Sequence, residues 1–99
     1  MNEAKKETPI LDRIMTKINN EGAEFRESLA PPNDALKAHG ARERLLAQLE
    51  KGVLTKDGIE SELGNIPNEG EIKEGLQEMV VKSLIRFKRS EFESIISAE

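Results

Sequence analysis

Apolar residues recur at helical spacing along most of this chain, and caps and breakers divide that pattern into segments. Ile10, Leu11, Ile14, Met15 and Ile18 form the first stripe. Thr8-Pro9 ahead of it suits a helix start, with threonine as N-cap and proline at the first helical position. Asn19 to Gly22 predicts an end or a kink. Phe25 and Leu29 continue the Leu11–Ile18 line at a seven-residue interval, so one bent helix reaching Leu29 is the alternative. Pro31-Pro32 ends it, because a residue before proline is pushed out of α geometry. The stripe has two readings. It packs on the chain's own core, or it pairs with a second copy or a partner helix, as seven-residue recurrence favours. Leu11, Ile14, Met15, Ile18 and Phe25 are the candidate dimerisation residues. Residues 1–32 thus read as a helical arm and 33–99 as the domain proper.

Asn33-Asp34 can cap a second helix that runs to about Lys51 and carries Leu36, Ala38, Ala41, Leu45, Leu46 and Leu49. Gly40 weakens it by about 1 kcal/mol relative to alanine. Gly52 is expected to supply a left-handed stop. Thr55 then caps a short helix with Asp57 in its first turn and Ile59 and Leu63 on one face, ending at Gly64. Asn65-Ile66-Pro67 reads as a turn. Asn68 and Glu71 have capping-box spacing for the next helix, which directs Ile72, Leu76, Met79 and Val80 inward. Two short helices cannot each bury a face alone. Ile59, Leu63, Ile72, Leu76 and Val80 are therefore expected to share one core with Leu45, Leu46 and Leu49, each fully buried residue contributing about 1.5–3 kcal/mol. Leu84-Ile85 is read as the exit into an extended segment.

The tail has two readings. Ile85, Phe87 and Arg89 alternate with Arg86, Lys88 and Ser90, which suits a strand, and a turn at Lys88 to Glu91 followed by Phe92 to Ile96 would complete a hairpin. Phe92, Ile95 and Ile96 also fit i, i+3, i+4, and Ser90-x-x-Glu93 has capping-box form, which suits a terminal helix. In that case the preceding helix runs on through Phe87.

Gly52, Leu54-Thr55, Leu63-Gly64, Ile72 with Leu76, and Leu84-Ile85 together form a pattern that resembles the winged helix-turn-helix family over residues 41–96. The resemblance implies a mainly α fold: a helix, a helix-turn-helix and a short C-terminal β-hairpin, preceded here by an N-terminal helix. The alternative is an all-α helical bundle. The resemblance also implies a small DNA-associated regulator that lays its third helix in the major groove and its wing along phosphates.

Charge changes that picture. With 99 residues, 36% hydrophobic and 34% charged, the chain supports one modest core and a heavily solvated surface. A net charge of −4 and a pI near 5.2 argue against a generally basic nucleic-acid or membrane binder. The third helix presents Glu69, Glu71, Glu74 and Glu78 against Lys73, which repels phosphate. Asn68, Lys73 and Gln77 are the candidate base or phosphate contacts there. The following segment is different: Lys82, Arg86, Lys88 and Arg89 give +4 across Val81 to Ser90. Those four are the main candidate DNA contacts, or else a solvated basic edge that guards a strand from pairing. The rival function is a non-enzymatic interaction module that docks Glu69, Glu71, Glu74 and Glu78 on a basic protein partner.

Nothing points to an enzyme. His39 is the sole histidine and has no nucleophile or metal-ligating neighbour in sequence. Gly70 and Gly75 sit in a helical pattern without a G-K-[ST] loop, and no cofactor or metal is expected. Three phenylalanines and no Trp or Tyr leave little for base stacking. The cysteine-free composition suits a reducing compartment, and no apolar run approaches the ~20 residues a membrane helix needs. The polar MNEAKKETP start has no apolar signal core, so a cytoplasmic protein is expected.

Overall fold

A computed structural model describes residues 9–21 and 32–97. They form five helices: α1 (Ile10–Glu21), α2 (Pro32–Lys51), α3 (Lys56–Gly64), α4 (Gly70–Phe87) and α5 (Arg89–Ser97). The fold is mainly helical, and among the described residues there is no strand. The hairpin expected over the tail is replaced by helix. Val80, Val81, Leu84 and Ile85 are all buried. Adjacent pairs repeating every four residues suit one helical face, whereas a half-buried strand would expose one member of each pair. Phe92 is fully buried with Ile95 and Ile96 packed beside it, which is the i, i+3, i+4 reading of the tail. Lys88 alone separates the last two helices, at φ −147° and ψ 82°. Its N–H donates to the Leu84 carbonyl at 3.1 Å, and its own carbonyl accepts from Phe92 N–H at 2.9 Å.

Local signals set most boundaries. The Thr55 Oγ1 accepts from Gly58 N–H at 3.0 Å, capping α3 as expected. Gly52 takes φ +77° after α2. Gly52 N–H donates to Leu49 O at 3.2 Å and Val53 N–H to Gln48 O at 3.0 Å, the paired bonds of a Schellman stop. The start of α4 departs from expectation. Glu69 stands at its cap position with no side-chain cap bond, and Gly70 opens the helix at φ +62°. The Asn68–Glu71 capping box therefore does not form. α2 begins at Pro32, which places Asn33 and Asp34 inside its first turn rather than ahead of it. Thr8 and residues 22–31, with Phe25 and Leu29, lie outside the described residues.

Packing centres on α4, which lies against α2, α5 and α1, while α3 bridges α1 and α2. Leu45, Leu49, Ile59, Leu63, Leu76, Val80, Val81, Leu84 and Phe92 are buried together. Leu11, Ile14 and Ile18 belong to the same cluster, so α1 packs on the chain's own core. Leu46 and Met79 are only partly buried, and Ile72 is 39% exposed rather than inward. Ile72 lies one turn ahead of Leu76, where the buried stripe of α4 ends.

Candidate functional site

The second half of α3 makes polar contacts with its neighbours, and those contacts engage several residues that sequence pattern assigns to binding. The last carbonyls of a helix have no intrahelical partner. Here α4 supplies donors: Gln77 Nε2 to Leu63 O at 3.1 Å and Lys73 Nζ to Gly64 O at 3.0 Å. Gln77 is 4% exposed. Two of the candidate DNA contacts are therefore joints between α3 and α4, and a buried amide cannot reach a base edge. Asn68 is half-buried in the turn before α4. In the last turn of α3, Arg44 from α2 holds Glu62 through two parallel bonds of 2.8 Å, which lower the Glu62 carboxyl below its ordinary range.

The basic segment is distributed over two helices rather than along a wing. Lys82 Nζ lies 2.9 Å from Glu78 Oε2, and Lys17 Nζ of α1 lies 3.1 Å from Glu78 Oε1. Partial burial pushes the Glu78 carboxyl up, but the hydrogen bonds and charges of Lys82 and Lys17 outweigh it and hold the group below the usual carboxylate range. A candidate phosphate contact and a candidate partner contact thus engage each other. Lys88 lies 3.7 Å from Glu91 and 5.8 Å over the Phe87 ring, and Arg89 pairs with Glu93 at 3.2 Å. Arg86 is exposed near the end of α4.

Glu69, Glu71 and Glu74 are a different group. All three are exposed, Glu69 at the cap position and Glu71 and Glu74 on the first turns of α4. Ile72 projects among them, and sequence pattern misses it as a surface residue because it continues the apolar spacing of Leu76. Beside this face lies a polar cleft of about 440 Å³ between α1, α3 and α4, lined in part by Arg13, Glu60, Lys73 and Glu74. Its mixed charges select no single ligand. Glu60 and Lys73 already engage backbone groups of α1 and α3.

Among the described residues, no group of three or more His, Cys, Asp or Glu could hold a metal. His39 is exposed on α2, with Nε2 3.9 Å from Glu43 and Nδ1 3.4 Å from Arg42 Nη2. No described helix is long and apolar enough to cross a membrane. Comparison of the chain with protein-family models, with curated proteins and with solved structures finds no match.

Proposed function

We propose that this chain is a non-enzymatic protein-interaction module that offers the start of α4 to a basic partner. The observation that carries the reading is the exposed trio Glu69, Glu71 and Glu74 around the partly exposed Ile72. Carboxylates on such a surface steer a basic partner and set its orientation. An apolar side chain among them adds contact area that plain charge attraction lacks. The remaining acidic candidate, Glu78, is held by Lys17 and Lys82 and is left out of this surface.

The DNA-associated regulator is the competing proposal. Without a wing it would rest on Arg86, Lys88 and Arg89 at the α4–α5 junction, two of which face glutamates of α5. One titration separates the readings. A basic peptide probe alternating lysine and leucine, and a duplex DNA of mixed sequence, are each added to the chain across a salt series. The interaction reading expects peptide binding, with amide shifts centred on residues 69–74. Glu69→Gln, Glu71→Gln and Glu74→Gln together should remove it, and Ile72→Ser should weaken it. DNA binding at low salt that is lost on charge reversal of Arg86, Lys88 and Arg89, with no peptide effect at 69–74, would replace this reading with the regulator.

A further inference from the structure

The buried stripe of α4 overhangs the core at both ends. Leu76, Val80 and Leu84 recur four apart and are all fully buried. Ile72 continues that spacing at one end and is 39% exposed. Phe87, one turn past Leu84, continues it at the other end and is 46% exposed. The two side chains stand about 22 Å apart along the helix axis. Phe87 is left uncovered because α4 stops there: Lys88 leaves helical geometry, and α5 turns its own aromatic, Phe92, into the core instead. Among the described residues, Phe87 is the exposed aromatic side chain.

Charge has opposite sign at the two ends. Glutamates surround Ile72, whereas Phe87 is followed directly by Lys88 and Arg89. The Lys88 ammonium lies 5.8 Å from the Phe87 ring centroid, within cation–π range. Lys88 faces Glu91 at 3.7 Å and Arg89 faces Glu93 at 3.2 Å, and all four side chains are at least 36% exposed. Pairs this accessible hold weakly. An incoming carboxylate therefore exchanges with Glu91 or Glu93 and strands no buried charge. Arg86 has contacts of its own and is not needed.

We propose that the α4–α5 junction is a second docking surface, which takes an acidic segment of another protein that carries an apolar side chain. The apolar residue covers the Phe87 ring. A carboxylate binds the Arg89 guanidinium, which can hold both oxygens at once, and Lys88 supplies a second positive charge. Duplex DNA fits less well. Its phosphates recur every ~3.4 Å along each strand and so meet Glu91 and Glu93 as well as the cations. A single ring also offers little to bases already stacked on one another. A second copy of the chain fits less well too, because a net charge of −4 opposes its approach and a start-to-end contact along α4 does not close. This surface goes beyond the acidic start of α4: with both occupied, one helix links a basic partner to an acidic one.

The isotope-labelled full chain is titrated with an acidic peptide alternating glutamate and leucine, with one alternating glutamate and serine, and with duplex DNA of mixed sequence. The leucine peptide should shift amides centred on residues 87–90, and the serine peptide should bind about tenfold more weakly. Phe87→Ser should cause a similar loss, and Lys88→Glu with Arg89→Glu should abolish binding. Glu91→Gln with Glu93→Gln should tighten binding, because the internal competitors are gone; a merely structural role for these residues would give no such gain. Glu69→Gln, Glu71→Gln and Glu74→Gln should leave this binding in place, which separates its failure from that of the acidic face. The proposal is overturned by absent or equal binding of the two peptides, or by shifts confined to other residues. DNA binding at 87–90 in place of the leucine peptide overturns it as well. So does self-association of the unaltered chain, seen in sedimentation, that Phe87→Ser removes.

Discussion

The carboxylate of Glu60 on α3 accepts the backbone N–H of Leu11 at the start of α1, at 2.7 Å, with its second oxygen on Ile10 N–H at 3.0 Å. The two residues are 49 positions apart in sequence. A helix start leaves its first amides without intrahelical acceptors, and capping is usually a local matter. Here the acceptor comes from another helix, so one side chain both completes α1 and fixes where it lies.

Glu60→Ala should therefore cost about 1–2 kcal/mol, the range for losing a cap or a charge-assisted hydrogen bond. Urea unfolding gives the magnitude. Hydrogen exchange should locate the loss, with faster exchange at Ile10 and Leu11 than at Leu45. An unchanged exchange rate at those two amides would contradict the capping role.

Gln77→Ala should lower stability by about 1–3 kcal/mol, because the Leu63 carbonyl loses its buried donor. Lys73→Ala, whose side chain donates at an exposed position, should cost less. Thermal unfolding of both variants checks the order. The contrast separates a structural joint from a nucleic-acid contact, for which the two residues would have been chosen alike.

Phe92→Ala should cost about 3–5 kcal/mol, the usual range for emptying a buried aromatic site. Helicity by circular dichroism should fall as α5 loses its anchor. A wing strand in its place would show no loss of helical signal on this substitution.

Acid should weaken the molecule in part through Glu78 and Glu62. Both carboxyls lie below the ordinary value of 4.5 in the folded state, through Lys82 and Lys17 for one and Arg44 for the other. A depressed folded pKa means that the unfolded chain binds protons first as pH falls. The stabilisation is present above about pH 4.5 and is lost as pH drops through each folded value. The stability gap between the unaltered chain and Glu78→Gln should accordingly narrow below pH 4.5, measured by urea unfolding across pH.

Gly52→Ala should cost about 1 kcal/mol, because its φ of +77° lies where a Cβ is strained. The site offers free space, with nothing within 4 Å of an added Cβ, so the cost is conformational rather than steric crowding. Denaturant unfolding measures it directly.

Much of this architecture is legible in the sequence wherever the determining interaction is short-range. Thr55 caps α3 because its hydroxyl needs only the amide three residues on. Gly52 stops α2 because a left-handed residue closes a local pair of bonds. The apolar spacing of Leu45, Leu49, Ile59, Leu63, Leu76 and Val80 sets the phase of three helices and hence their buried faces. Tertiary structure decided the rest. Spacing cannot say where along a stripe the neighbouring helix ends, so Ile72 and Leu76 look alike in sequence yet only Leu76 is fully covered. The tail satisfied both period two and period 3.6 until burial of the adjacent Leu84 and Ile85 selected the helix. Charge along the chain likewise made Lys82 a phosphate contact and Glu78 a partner contact, because pairing with Lys17 depends on α1 coming to rest against α4. Local chemistry determined the helices and their faces; distances between residues remote in sequence decided which side chains remained available for function.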